Sequence, residues 1–253
     1  MTLTEPNTAT ENPALTTAII DYLARLLECR PLQTRLEAAA ATALVERLGL
    51  PSHHDPQKNW DTFKAVSYVR TLMGRFDRFT PVLDAGSGAR MVAPRWLRQL
   101  NYKNVYACDV QGAQKDVYKP LAIKFTVQDL TRTTYEDAFF QAVTCISVIE
   151  HNIPFAPFAA EMARVLKPGG LLLVSTDYWS EPVDCSGIYP YGVDAGEMRI
   201  IDPAALRQFA DICAVQGLDL CQPLQFDVTD KPVRWERVDR DYTFAFAAFR
   251  KRD

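Results

Sequence analysis

The residues with the clearest chemistry are three carboxylates and two glycines: Asp84, Gly86, Gly88, Asp109 and Asp129. The string Val82-Leu83-Asp84-Ala85-Gly86-Ser87-Gly88 reads as a strand that ends in a glycine turn and opens a helix. Glycines there let the backbone bend sharply and approach a ligand closely. A dinucleotide site would need G-x-G-x-x-G, but position 91 is Met. A carboxylate at the strand end, Asp84, would repel a pyrophosphate and favour a ligand that carries an ammonium and a sulfonium. Asp109 closes the next apolar run, where a carboxylate can accept two hydrogen bonds from a ribose diol. Asp129 follows the third run and can accept from an adenine amino group, while Leu130 can offer its backbone N–H to the ring. The plainer alternative is a tight turn with solvated acids at strand ends. Together, the three acids match a cationic adenosine ligand better.

The order of these motifs resembles that of class I S-adenosylmethionine-dependent methyltransferases. Asp84 to Gly88 is similar to the family's first motif, Asp109 with Val110 beside it to its ribose acid, and Asp129 with Leu130 to its adenine-proximal segment. Ser147-Val-Ile-Glu150-His151 resembles the segment that ends the fourth strand, and Leu166-Lys-Pro-Gly-Gly170 the turn before the fifth. The resemblance runs over roughly residues 80 to 178. It implies a Rossmann-like α/β sheet of seven strands with the last antiparallel, the methyl donor S-adenosylmethionine and the product S-adenosylhomocysteine. On the resemblance, the donor-binding residues are Asp84, Gly86, Gly88, Asp109, Val110, Asp129, Leu130 and Ser147. Arg90 departs from the pattern where a third glycine is usual, and Gln141 where an acid commonly precedes the fourth strand.

Methyl transfer is an in-line displacement, helped chiefly by holding the acceptor about 3 Å from the donor methyl. An amine acceptor needs an exposed lone pair, and an alcohol needs a base. His151 and Asp177, at the ends of apolar runs, are the candidate bases; the plainer and favoured reading of His151 is a hydrogen-bonded loop residue that orients the helix after it. Residues 176–200 form a long loop with Tyr178, Trp179, Tyr189 and Tyr191, aromatic faces interspersed with acids. Long loops in compact domains are usually functional, and this one is read as the acceptor-binding lid. Trp60, in Asn59-Trp60-Asp61, is read as a further acceptor contact. The expected acceptor is a small molecule or a glycan, methylated on oxygen or nitrogen. An RNA or protein methyltransferase and an inactive scaffold are the alternatives. No Asn-Pro-Pro-Tyr motif stands after the fourth run, and the acids of a catechol-type metal site are unmatched, so no metal is expected.

The elements that must position these residues follow from periodicity. Residues 1–13 are polar and read as a disordered tail, and 14–78 as an N-terminal helical segment whose third helix runs over 61–74. Residues 79–253 read as the methyltransferase domain. Strands are predicted at 81–85, 104–110, 122–127, 142–149, 171–176, 218–224 and 242–249. Their near-continuous Val, Ile and Leu content marks parallel strands covered on both faces. The chain has 253 residues and a net charge of −3, which gives no general attraction to nucleic acid or anionic membrane. Six scattered cysteines without a C-x-x-C pair, and a start without a basic and apolar leader, point to a cytoplasmic protein with no membrane span.

Overall fold

The computed structural model describes residues 13–72, 78–113, 115–189, 192–193 and 196–253. The predicted tail, up to residue 12, and the predicted acceptor residue Tyr191 lie outside them. The core is a mixed sheet with the strand order β3-β2-β1-β4-β5-β8-β6. Its parallel part comprises β1 (Val82–Ala85), β2 (Val105–Asp109), β3 (Lys124–Val127), β4 (Phe140–Ile146) and β5 (Leu166–Tyr178). Strand β8 (Arg240–Lys251) runs antiparallel to β5 from Leu171↔Arg250 to Tyr178↔Thr243, and β6 (Leu218–Leu220) pairs with its far end. The expected seven strands are thus present. An eighth, β7 (Val233–Trp235), pairs with the beginning of β8. Three residues are too short a run for alternation to reveal.

Alternation of side chains across the sheet sorts its residues into two layers. Leu83, Val143, Leu172 and Phe249 face α6 (Phe155–Val165) and α7 (Pro203–Val215). Val82, Ala142, Leu171 and Phe246 face α4 (Val92–Gln99) and the N-terminal helices α1 (Pro13–Ala24), α2 (Arg35–Arg47) and α3 (Asn59–Leu72). Helix α3 opens two residues before the predicted start. Pro168 and Gly169 form an irregularity within β5, because the register jumps from Phe140↔Leu166 to Ala142↔Leu171. The predicted helix-to-strand turn is therefore a bulged beginning of the strand itself.

The N-terminal segment is bonded to the sheet as well as packed on it. Between β7 and β6 the outer edge of β8 would be bare, and residues 30–32 fill it. Leu32 N–H donates to the Phe244 carbonyl at 2.9 Å, and Phe246 N–H donates to the Arg30 carbonyl at 3.1 Å. An unpaired edge is covered in this way by the chain itself. The Arg30 side chain, 1% exposed, turns to Glu37, donating through Nη1 at 3.1 Å and Nη2 at 2.5 Å. Glu37 also accepts from Trp60 Nε1 at 2.7 Å and from Gln33 N–H at 3.0 Å. One carboxylate thus joins α2, α3 and the strap on β8.

Removing one partner of such a buried pair leaves an uncompensated charge, at a cost of about 3–5 kcal/mol. Glu37→Ala should lower stability by that amount in urea unfolding with an unchanged slope, and Arg30→Met together with Glu37→Leu should recover part of it. A loss under about 1 kcal/mol for the single variant would show that the pair does not carry this junction.

Candidate functional site

The C-terminal ends of β1 and β4 meet at a cavity of about 310 Å³. Its floor is the glycine turn. Gly86 and Ser87 N–H both donate to the Cys108 carbonyl, at 2.9 and 3.0 Å, which hooks the turn onto the end of β2. Gly88 N–H donates to Asp109 Oδ2 at 3.0 Å, and Gln111 N–H donates to Oδ1 at 3.0 Å. Each carboxylate oxygen of Asp109 therefore keeps acceptor capacity for a diol while being aimed by backbone. Gly86 has φ +76°, and a Cβ there would lie 2.5 Å from Val148 Cγ2. Gly88, at φ +59°, has open space where a Cβ would stand.

The missing third glycine has a structural answer. Met91, at the position where G-x-G-x-x-G would place it, adopts φ +50° and is fully buried. It takes the left-handed backbone that glycine adopts freely, at a cost of about 1–2 kcal/mol, and α4 begins at the next residue. Arg90 beside it is exposed and lines the cavity.

Asp84 is 5% exposed and accepts from Thr144 Oγ1 at 2.5 Å. Burial pushes its carboxyl up to about 7, with a smaller push from the Asp109 charge and an opposing pull from the Thr144 bond. A buried acid so poised gains from a cationic ligand. Ser147, at φ +52° and 9% exposed, ends β4 on the cavity wall. Its N–H is held by the Ser175 carbonyl at 3.0 Å, while Ser147 Oγ and Ser87 Oγ, both on the wall, are buried without hydrogen-bond partners. Asp129 is exposed and accepts from Thr131 N–H and Oγ1 at 2.8 and 2.7 Å; those two bonds hold its carboxyl below the usual range. Val110 is 73% exposed at the end of β2, whereas Leu130 packs at 7% exposure in the core against α6.

The other wall comes from the N-terminal segment: His53, His54, Lys58 and Thr62 line the cavity opposite the glycine turn. Asn59 sets the loop, accepting from His53 N–H at 2.9 Å and donating to Thr42 Oγ1 and Ser52 Oγ. His53 stacks on His54 with centroids 4.3 Å apart, and its Nδ1 accepts from Asp55 N–H. Burial, then the Lys58 and His54 charges, press His53 down to about 3, so the ring is neutral. Burial also pulls on Lys58, but Asp177, Asp61 and Glu150 outweigh it and the net shift is upward.

Behind Ser147 lies a second polar group at the ends of β4 and β5. Ser175 Oγ donates to Asp61 Oδ2 at 2.8 Å, and Thr176 Oγ1 donates to Glu150 Oε2 at 3.1 Å. Asp177 is 4% exposed, and its Oδ1 has no hydrogen-bond partner among the described residues. Burial raises Asp177 and Glu150 together; the Glu150 charge raises Asp177 further, and Lys58 opposes both. His151 is held below its ordinary value by burial, against the pull of Asp177, so it stands as a neutral imidazole near neutral pH. Both predicted bases therefore sit in this group, with Glu150 and Asp61 added.

The predicted acceptor aromatics divide. Trp60 is fully buried, with its Nε1 on Glu37 and Tyr22 Oη on its carbonyl at 2.8 Å; it is a core residue of the helical layer and cannot meet an acceptor. Tyr178 is likewise fully buried, its hydroxyl donating to the Phe226 carbonyl at 2.8 Å. Both fail as contacts because apolar area outcompeted exposure. Trp179 is half-buried with Lys231 4.4 Å over its ring, and Tyr189 is exposed and donates to Glu197 Oε1 at 3.0 Å. Sequence reasoning passed over Lys58, Asp61 and Thr62, although their i, i+3, i+4 spacing puts them on one helical face while Trp60 points elsewhere. Among the described residues no cluster of three or more His, Cys, Asp or Glu could hold a metal ion.

Residues 83–174 match the family described as a methyltransferase domain. The chain is 30% identical over 132 residues to the ubiquinone biosynthesis O-methyltransferase of Methylocella silvestris, covering 44% of this chain and 51% of that protein. It is 28% identical over 159 residues to the 2-methyl-6-phytyl-1,4-hydroquinone methyltransferase of a Synechocystis strain, covering 54% and 50%. The chain thus spans about half the length of these curated relatives. In architecture it is similar to the 1,6-didemethyltoxoflavin-N1-methyltransferase of Burkholderia thailandensis, solved with S-adenosylhomocysteine. That likeness has a TM-score of 0.54 at 19% identity, covering 88% of this chain and 92% of that one.

The two turn glycines should respond differently to substitution. Gly86→Ala and Gly88→Ala both force a left-handed alanine, at about 1–2 kcal/mol, but only Gly86→Ala drives a Cβ into Val148. Thermal unfolding should show Gly86→Ala the more damaging; equal midpoints would mean that Val148 yields freely.

Proposed function

We propose that this chain, whose residues 83–174 match a methyltransferase domain, is a class I S-adenosylmethionine-dependent methyltransferase that moves a methyl group from S-adenosylmethionine to a small-molecule or glycan acceptor. The observation that carries this is the cavity lined by Asp84, Gly86, Gly88 and Ser147, with Asp109 bonded to the Gly88 N–H of the same turn. Its residues fit the donor: two wall hydroxyls lack partners among the described residues, and a buried carboxyl waits for a cation. The donor supplies an electrophilic methyl on a sulfonium. Asp109 binds the ribose hydroxyls, Asp84 takes the cationic amino end, and Asp129 with Leu130 meets the adenine.

The acceptor enters beside the ends of β4 and β5, under the loop at 179–200. There His151, a neutral imidazole, or Asp177, with one oxygen unpartnered, takes the proton from an acceptor hydroxyl. The curated relatives are named for quinone methylation, which makes phenolic hydroxyls, with sugar hydroxyls, the first acceptors to try. Trp179 and Tyr189 supply the aromatic faces of the loop.

Calorimetry with S-adenosylmethionine, S-adenosylhomocysteine and NAD tests the donor half. Roughly micromolar binding of the first two, and none of NAD, is expected. Asp109→Ala removes two charge-assisted bonds worth about 1.5–3 kcal/mol each, so donor affinity should fall at least about tenfold. Absence of adenosyl binding to the wild type would end the reading. Labelled-methyl transfer to phenols and sugars then tests the acceptor half.

The pH dependence has a defined sign. Asp84 titrates near 7 in the free protein, and a bound cation favours its ionised form. Binding should therefore release a proton, and donor affinity should rise from about pH 5.5 to about pH 7. Calorimetry in buffers of different ionisation heat reads that proton, and Asp84→Asn should abolish it.

A further inference from the structure

Resting on the acceptor half of the reading above, we propose that Lys58 is the counter-ion of a carboxyl pair, Asp177 with Glu150, whose two members hold one proton between them and keep one negative charge. Lys58 thereby selects Asp177 as the base, and the N-terminal segment becomes a component of the acceptor site. The hydroxyl proton of the acceptor passes to Asp177 Oδ1, the electron pair it leaves on oxygen forms the bond to the donor methyl, and the methyl–sulfur bond breaks to give a neutral thioether. Lys58 is a positioning residue in this scheme, since it acts through Asp177.

Three contacts fix where Lys58 stands. Ser175 Oγ donates to Asp61 Oδ2 at 2.8 Å, which pins the first turn of α3 over β5. Further along α3, Lys64 Nζ lies 5.3 Å from the centroid of the Phe246 ring; before α3, Lys58 Nζ lies 5.4 Å from that of Phe244. Phe246 pairs with Ser175, and Phe244 with Asp177, across β5 and β8. The helix therefore runs against the direction of β5. Lys58, on the short helical turn over Pro56–Lys58, comes one turn before Asp61, and Asp177 comes two residues after Ser175. Those steps are about 5 Å along the helix and about 6.6 Å along the strand, so ammonium and carboxyl stand at one level. From the wall opposite the glycine turn, the Lys58 charge reaches Asp177, Asp61 and Glu150 through space.

Glu150 lies against the same stretch of β5. Its Oε2 accepts from Thr176 Oγ1 at 3.1 Å and its Oε1 from Asp177 N–H at 3.4 Å. Two acids this close and this deeply buried do not both ionise freely, and their protons belong to the pair. Both Glu150 oxygens are engaged, whereas Asp177 Oδ1 has no hydrogen-bond partner among the described residues, so Asp177 is the open member. The other titratable neighbours do not supply a cation. Tyr242 stands beside Asp177 on β8, and burial raises its phenol, which stays neutral. His151 and His53 are neutral near neutral pH, both held down by burial first. Asp55 and Asp61 are further acids on the N-terminal side. Among the described residues, Lys58 is the cation whose field opposes the rise of Asp61, Glu150 and Asp177 alike.

Infrared titration of the free protein from about pH 5 to about pH 9 reads the protonated-carboxyl stretch, with Asp177→Asn, Glu150→Gln and Asp61→Asn to assign the bands. A positive neighbour favours the ionised pair, so its removal must raise the midpoint. The first midpoint of the pair should move up by at least about one pH unit in Lys58→Met and stay within about half a unit of wild type in Lys58→Arg. A shift below about 0.3 unit in a folded Lys58→Met protein overturns the proposal. So does movement confined to the band that Asp61→Asn removes, which gives Lys58 to Asp61. Where Lys58→Met is unstable, adding Asp177→Asn should restore at least half of the lost unfolding midpoint, because the unbalanced charge is gone; no recovery overturns the counter-ion role. In labelled-methyl transfer to phenols, the acid limb of the rate should move up in Lys58→Met together with the infrared midpoint. A limb that stays in place assigns the base to His151 and overturns the selection of Asp177. Donor calorimetry separates the two readings: a wild type that binds no donor ends the methyl-transfer reading while the titration stands, and an unmoved titration ends this proposal while donor binding stands.

Discussion

The pairing of residues 30–32 with the open edge of β8 is the constraint on which the rest depends. Two backbone bonds, from Leu32 to Phe244 and from Phe246 to Arg30, make the N-terminal segment a partner of the central sheet. From that strap the Arg30–Glu37 pair fixes α2, and the Trp60 bond to Glu37 fixes α3. Helix α3 and the turn before it then present Lys58 and Thr62 to the glycine turn of β1, some way along the sheet. A site assembled from residues far apart in sequence is rigid only if such a chain of contacts is unbroken.

Polar groups gathered at the ends of β4 and β5 oppose this stability. Asp61, Glu150 and Asp177 are almost wholly removed from water, and burial raises each of them. No local packing advantage explains three acids in one interior, and Thr176 and Ser175 satisfy them only in part. Perturbed acids of this kind concentrate where a protein does chemistry. The strain at Met91 and Ser147, both left-handed and both on the cavity wall, belongs to the same pattern.

The sheet was legible in the sequence because parallel buried strands write themselves as unbroken apolar runs, and because Asp84, Gly86, Gly88 and Asp109 sit at strand ends in a fixed order. Helix α7 carries its own start signals, since Asp202 caps it, accepting from Ala205 N–H, and Pro203 opens it. What was not legible depends on tertiary partners. Strand β7 is too short to alternate, and the strap at 30–32 carries no sign of the edge it covers. Trp60 and Tyr178 were read as acceptor contacts from their size and position, but size is also what a core rewards. Lys58 was hidden because a lysine in a polar loop has no local signature until a cavity stands beside it.

The long loop after β5 leaves and returns at one point. Trp179 N–H donates to the Ile201 carbonyl and Ile201 N–H donates to the Asp177 carbonyl, at 3.0 and 2.9 Å. Arg240 adds a tie at the Asp184 carbonyl and Asn152 Nδ2 another at the Glu197 carbonyl, and the cost of closing a longer span grows only slowly with length. Because the clasp itself holds the ends of the loop at β5, segments between these ties can be lengthened or shortened without moving a strand.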